Sequence, residues 1–322
     1  MRLISLSRAD IAACFGMDDA IAAMETAFSE LSRGGIEAPL RTALVSKEGT
    51  ILYKPAFSPA LDLFCVKIVS VFQGNAKLGE EVTAGTIILN DAKTGLPLAI
   101  MDAGYLTALR TGAATGLATR LLSDENAAEA ALFGTGGQAF CQLEAMLAVR
   151  DLRTVHVFSR RPENARKFCE AHAARFPGCL LVPATGPEVL SRCGIVTTAS
   201  TSPSPVFDDK ALAPRVHINA VGSLGAHRSE IPVATLARAR LVVDQRAACL
   251  KEAGEIISVL NTGVSAESLG LVELGELVGK PRDASAPVTV FKSVGNAAQD
   301  LVCAAAVYRI ALGRGAGKPV EL

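Results

Sequence analysis

The sequence lacks the surplus of positive charge on which nucleic-acid binding rests. Lys and Arg together number 32, Asp and Glu together also number 32, and no long basic run breaks the balance. Phosphate backbones are held by clustered cations that release counterions, so a small-molecule partner is expected and nucleic acid is not. No apolar stretch reaches the roughly 18–20 residues needed to span a bilayer, so no membrane partner is expected either. Met1-Arg2-Leu3-Ile4-Ser5 leads straight into a helical pattern without the apolar segment of a secretory signal, which makes the cytoplasm the expected location. The eight cysteines include no C-x-x-C pair and no zinc-type spacing. A metal site is therefore not expected, and the thiols read as small core-filling groups in a reducing compartment.

What is present is the make-up of a globular protein: half the residues are apolar and 20% are charged. A length of 322 residues suits two domains. Apolar residues from Ile11 to Leu31 recur at helical spacing and stop at Gly34-Gly35, predicting a helix or helix pair. From Pro39 to Met101 short β-rich runs take over, at Ile51–Tyr53, Phe64–Val71 and Thr86–Leu89, with Asp91–Gly95 as a hairpin turn. Ala103–Leu122 reads as helix. Beyond Asn126 strands and helices alternate: Ala130–Phe133, Gln138–Val149, Thr154–Ser159, Pro162–Ala173, Leu180–Val182, Ile195–Thr198, Val216–Ala220 and Leu241–Val243. Such alternation predicts a parallel sheet covered by helices. Thr289–Phe291 is a last strand before an alanine-rich helix from about Asn296 to Leu312, expected to return to the first domain.

The chemistry begins at Gly134-Thr135-Gly136-Gly137-Gln138-Ala139, which follows an apolar strand and opens a helix. In that context G-x-G-x-x-A is a dinucleotide-binding turn. Gly134 permits the tight bend, Gly136 lets the backbone approach a pyrophosphate, and Ala139 allows close packing, with the phosphates at the helix's positive end. The next strand ends Phe158-Ser159-Arg160-Arg161, where NAD-selective folds carry a carboxylate for the ribose hydroxyl. Two guanidiniums there suit a 2′-phosphate, so NADP(H) is the expected cofactor, with NAD(H) the secondary one.

Arg110-Thr111-Gly112-Ala113-Ala114, the Gly134–Ala139 turn, Ile218-Asn219-Ala220-Val221-Gly222-Ser223 and Ser293-Val294-Gly295 occur in this order along nearly the whole chain. Together they resemble the ornithine cyclodeaminase/mu-crystallin family. The resemblance implies an α/β protein: a Rossmann-type doubly wound parallel sheet over residues 126–295, carrying NAD(P), plus a smaller α+β substrate-binding and dimerisation domain over 1–125 with 296–322. It also implies a homodimer, and an amino or imino acid as the small-molecule substrate. The family's activities include cyclodeamination of ornithine or lysine, alanine dehydrogenation and imino-acid reduction, all passing through an α-imino acid.

Carried over residue by residue, the resemblance places Arg41, Lys67 and Arg110 among the substrate-carboxylate and catalytic groups, Lys67 and Arg110 being the catalytic pair. A planar guanidinium can clamp an α-carboxylate with two parallel bonds, and a desolvated lysine can move a proton near neutral pH. The proton donor stays open between Lys67 and a bound water. Lys54, beside Pro55, is a second candidate for that role, with the reading as a loop lysine preferred. Thr86, Arg110, Thr111, Gly134, Gly136, Gly137, Gln138, Ala139, Ser159, Arg160, Arg161, Thr198, Val221, Gly222 and Ser293 fall at or beside the family's cofactor contacts. Leu224 and Val294 fall at the substrate.

One position departs from the family's pattern. Cyclodeaminases carry an aspartate two residues after the glycine that here is Gly222, and this chain has Leu224. A leucine cannot take a proton or hold a side-chain ammonium, which favours simple hydride transfer to an α-imino acid over cyclisation. His227, Arg228 and Glu230 follow closely and are read either as a polar partner for substrate or as caps of the next helix. Two other readings stand beside the reductase: a cyclodeaminase with bound NAD, and a mu-crystallin-like protein that holds a small ligand.

Overall fold

Strand residues of two different rhythms build two separate sheets. The structure, a computed structural model, describes residues 2–223 and 225–321. The chain begins with β1 (Arg2–Leu6), α1 (Arg8–Cys14) and α2 (Met17–Ser32). Five strands follow, β2 (Thr42–Val45), β3 (Thr50–Ser58), β4 (Leu63–Val71), β5 (Thr83–Asp91) and β6 (Pro97–Asp102), and then helix α3 (Ala103–Leu122). The alternating region comprises β7 (Glu129–Phe133), α4 (Ala139–Val149), β8 (Thr154–Phe158), α5 (Pro162–His172), β9 (Leu180–Pro183), β10 (Ile195–Thr198) and β11 (Val216–Ala220). It continues through α6 (Val233–Arg238), β12 (Arg240–Val243), α7 (Arg246–Glu252), α8 (Gly254–Leu260), β13 (Val272–Glu273) and β14 (Val288–Lys292). Helix α9 (Ala297–Arg314) and β15 (Lys318–Glu321) close the chain.

The residues up to Arg110 and those from Gly295 onward form one compact unit. Its seven-stranded sheet runs β15-β1-β6-β5-β4-β3-β2, antiparallel except where β1 meets β6. Helix α9 lies against α1, α2 and strands β3, β4 and β5. Period-two alternation decides what it covers: Leu63, Cys65 and Lys67 on β4 and Lys54, Ala56 and Ser58 on β3 all turn inward. The Asp91–Gly95 turn joins β5 to β6, with the Asp91 carboxylate accepting from the N–H groups of Lys93 and Thr94 at 3.1 and 2.8 Å. The N-terminal residues lead into the helix through a strand that the sequence reading did not include. Arg2–Leu6 pair with β6 and β15, and the helix begins only after Ser7, which makes a reciprocal capping box with Asp10.

Residues Thr111–Val294 form the second unit, on an eight-stranded sheet in the order β13-β12-β14-β11-β10-β7-β8-β9. Every adjacent pair in it is parallel. Succession runs outward from β7 through β8 and β9 on one side and from β10 on the other. The switch point therefore lies between β7 and β10, where open parallel sheets bind ligands beyond the strands' carboxyl ends.

The boundary between the units falls inside α3, at Arg110/Thr111, rather than at the expected 125/126, and the return falls at Val294/Gly295. The second half of α3 is fastened to the parallel sheet. Gly112 has no side chain where a Cβ would strike the Cys141 carbonyl, and Asn219 Nδ2 donates to Thr119 Oγ1 at 3.0 Å. The Arg150 guanidinium collects the carbonyls of Thr119, Arg120 and Ser123 at the helix's end, at 3.0, 2.9 and 3.1 Å. All eight cysteines are buried and unbridged. Among the described residues, no helix is long and apolar enough to cross a membrane.

Candidate active site

In the second unit, β7 runs into Gly134, whose φ of +113° is a conformation that L side chains rarely adopt. A Cβ there would also collide with the Ala199 carbonyl oxygen, so both backbone and space demand glycine. Gly136 and Gly137 have open space where a side chain would stand, while Ala139, the first residue of α4, is fully buried. The turn opens onto a cleft of about 650 Å³, whose lining includes Thr135, Ser159, Arg160, Arg161, Asn164 and Ser202. Thr135 Oγ1 and Ser159 Oγ share a hydrogen bond at 3.2 Å, tying the ends of β7 and β8 together. Arg160 and Arg161 are both exposed at the rim.

The geometry fits a dinucleotide. Glycine backbone is bare at the start of a helix, where N–H groups and the helix dipole favour phosphate. Gln138 Oε1 is buried without a donor, an acceptor that a ligand hydroxyl or amide could satisfy.

The first unit holds a different kind of site. Lys54 and Lys67 are directly opposed on β3 and β4, and both are buried. Like charges facing each other across a ladder are unfavourable, so the pair marks a place built for something other than stability. Lys67 Nζ donates to Asp300 Oδ1 at 2.7 Å and to Thr107 Oγ1 at 3.2 Å. Arg110 Nε donates to the same Asp300 oxygen at 3.0 Å, and Arg110 Nη1 to Gln299 Oε1 at 2.5 Å. Lys54 Nζ donates to the Gly295 carbonyl at 2.9 Å. Gly295 itself has a φ of +75°, and a Cβ on it would lie 2.9 Å from Arg110 Nη1. Glycine thus makes room for the guanidinium.

Three buried basic side chains here face one carboxylate. Burial, reinforced by the like charge of Arg110 and opposed by Asp300, lowers Lys67 to about 8. Burial and then Lys67 push Lys54 well below the ordinary lysine range. Burial alone would raise Asp300, but the pull of Lys67, Arg110 and Lys54 outweighs it and holds the carboxyl at about 2. Asp300 therefore stays ionised. A surplus of buried positive charge with one fixed counter-charge is an arrangement that could receive an anionic group.

Other expected residues fall differently. Arg41 is half-buried just before β2, and its charge reaches Lys54. Thr86 is half-buried on β5, opposite Ile68 and Asp102. Thr111 is buried in α3. Thr198 is fully buried, its hydroxyl donating to Glu230 Oε2 at 3.1 Å. Ser293 and Val294 are also buried, the Ser293 hydroxyl and the Val294 N–H both donating to Asp244 Oδ2, at 2.8 and 3.0 Å. Val221 is half-buried, and the space beside Gly222 is filled by Ser200 and Glu230. Leu224 lies outside the described residues.

Lys54 is a buried strand residue and not the loop lysine preferred from the sequence, and the sequence reading missed Gln299 and Asp300 altogether. Asp300 carried one available signal: the lone carboxylate of an alanine-rich helix, set in its first turn. His227 is exposed and Arg228 half-buried, whereas Glu230 is fully buried and bonded internally, so it offers nothing to a substrate side chain.

Comparison with known proteins gives these sites a context. The chain is 35% identical over 311 residues to a Delta(1)-pyrroline-2-carboxylate reductase of Bacillus cereus, covering 95% of each. The structure of Thermococcus litoralis Delta(1)-pyrroline-2-carboxylate reductase in complex with NADH and L-proline superposes with a TM-score of 0.92 at 34% identity, over 99% of this chain and 100% of that one. An archaeal alanine dehydrogenase dimer with bound NAD also gives 0.92, at 30% identity over the full length of both chains. The family model for ornithine cyclodeaminase/mu-crystallin matches residues 3–315. With motif order, two-sheet fold and near-complete coverage in agreement, the chain belongs to the ornithine cyclodeaminase/mu-crystallin family.

Proposed function

We propose that this chain is an NAD(P)H-dependent reductase of α-imino acids, forming L-amino acids and running in reverse as an amino-acid dehydrogenase. The buried cluster of Lys54, Lys67, Arg110 and Asp300 carries the reading, because its uncompensated positive charge suits the α-carboxylate common to such substrates. Relatives at 30–35% identity with reductase and dehydrogenase activities support it. Candidate substrates are Δ1-pyrroline-2-carboxylate, its six-membered homologue, and the imines of pyruvate or oxaloacetate.

The chain's residues divide the work. Arg110 grips the carboxylate through two parallel N–H bonds and so fixes which carbon is presented for reduction. Asp300 holds both Arg110 and Lys67 in place. Lys67 keeps a proton on Nζ below about pH 8, where it can be passed to the imine nitrogen directly or through water. When bound, the dinucleotide supplies the hydride from its nicotinamide ring.

NADP(H) is the preferred form in this reading. Arg160 and Arg161 stand at the rim of the cleft where β8 ends, and no carboxylate occupies the end of that strand. The protein works in the cytoplasm as a homodimer. The edge strand β2 leaves Leu44 and Val45 exposed, an apolar edge that a second copy would cover.

The test follows NADPH against NADH oxidation with cyclic imines and with 2-oxo acids plus ammonia. Faster turnover with NADPH than with NADH is expected. NADH-only activity would remove the 2′-phosphate assignment, and ammonia release from ornithine without net cofactor consumption would replace the reductase with a cyclodeaminase. Cofactor binding without oxidation of any imine would instead favour a ligand-holding protein.

A further inference from the structure

Glu230 is fully buried, and it is not part of the cation cluster. Its Oε1 accepts from the Ser200 N–H at 2.8 Å and the Ser200 hydroxyl at 2.6 Å. Its Oε2 accepts from the Thr198 hydroxyl at 3.1 Å and from the N–H groups of Gly222 and Ser223, each at 2.9 Å. The Glu230 backbone is engaged as well: its carbonyl accepts from the Val206 N–H at 3.0 Å, and its N–H donates to Glu255 Oε1 at 3.0 Å. Glu255 is in turn paired with Lys292 at 2.8 Å.

The segments that meet on this carboxylate matter. Residues 199–203, with Pro205 and Val206, belong to the loop after β10 and line the same cleft as Arg160. Gly222 and Ser223 lie in the loop after β11. The carbonyl of Ala199 also closes on Gly134, the glycine of the dinucleotide turn. Buried carboxylates are costly and persist where their lone pairs are fully used. Burial pushes the Glu230 carboxyl above its ordinary value, against the opposing pull of the Ser200 hydrogen bonds.

We propose that Glu230 is the positioning residue of the dinucleotide cleft: its two oxygens clamp the loop after β10 to the loop after β11, and that clamp sets the width of the cleft for the cofactor. This rests on the reading of the cleft as an NAD(P)(H) site. Glu230→Gln is the sharpest perturbation. Its amide NH₂ must face either the Ser200 donors or the Gly222 and Ser223 N–H groups, donor against donor in both orientations.

The experiment measures NADPH dissociation constants by fluorescence titration, together with melting temperature and separate KM values for cofactor and imine. Glu230→Gln should raise the NADPH Kd and KM about tenfold or more while the imine KM changes less than about twofold. A lower melting temperature with unchanged NADPH Kd would reduce Glu230 to a fold-stabilising residue and overturn the proposal. Should that variant not fold, Ser200→Ala combined with Thr198→Val removes two hydroxyl donors and keeps the carboxylate. That pair should still raise Kd roughly threefold or more, and no change would equally overturn the proposal. Wild-type protein that binds neither NADPH nor NADH would overturn the reading of the cleft itself, a failure visible before any variant is made.

Discussion

Truncating Arg110 to alanine should abolish most turnover while leaving the cofactor bound. In the structure the residue is 4% exposed and its guanidinium already oriented, Nε to Asp300 at 3.0 Å and Nη1 to Gln299 at 2.5 Å. Two charge-assisted hydrogen bonds to a substrate carboxylate are worth about 1.5–3 kcal/mol each, or about 3–6 kcal/mol together. At about 1.4 kcal/mol per factor of ten, kcat/KM for the imine should fall by about 10² to 10⁴. Asp300 keeps Lys67 at 2.7 Å, so the carboxylate is not orphaned, but Gln299 Oε1 loses its donor, at a stability cost of about 1–3 kcal/mol. The assay is initial-rate kinetics at saturating NADPH, paired with a direct NADPH titration of the same preparation. Cofactor affinity should stay within about threefold, because every residue lining the cleft belongs to the other unit. A folded Arg110→Ala protein with kcat/KM within about threefold of wild type would refute the assignment of the carboxylate clamp.

Three further outcomes follow from the same geometry. Replacing Arg160 and Arg161 together by serine should raise the KM for NADPH by about 10- to 100-fold and alter that for NADH less than about threefold; equal effects on the two would reject 2′-phosphate recognition. Lys67, lowered to about 8, carries its proton below that value and loses it above. Reductive kcat/KM should therefore decline above about pH 8 and the oxidative direction gain, with the limb absent in Lys67→Met and displaced upward in Arg110→Ala, where a neighbouring like charge is gone. Arg150→Met should leave the kinetics unchanged but lower stability by about 3 kcal/mol in urea denaturation, because it strips the guanidinium from the carbonyls of Thr119, Arg120 and Ser123.

Where local chemistry carries the signal, the sequence is legible. Gly134 must be glycine because φ is positive and the Ala199 carbonyl is close, and the surrounding strand and helix advertise themselves through apolar periodicity. The Asp91–Gly95 hairpin and the full span of α3 are visible for the same reason: turn residues and helix formers act over a few positions. Strand β1 was hidden because its partners, β6 and β15, lie about 95 and 315 residues away, and no period within Arg2–Leu6 announces them. Lys54 was obscured by Pro55 beside it, although the ladder places both residues squarely within β3.

The sequence by itself determined the architecture of two sheets, the dinucleotide turn and the family, since each is written in short-range pattern or in ordered motifs. Only the tertiary structure decided how charge is distributed. It brought Asp300 from the last helix to Lys67 and Arg110, set Lys54 opposite Lys67, and turned Glu230 from a candidate substrate contact into the buried acceptor that joins two loops. The physical reason is that an ionisable group's role depends on what desolvates it and what faces it. Both are set by residues distant in the chain, which no local spacing can reveal.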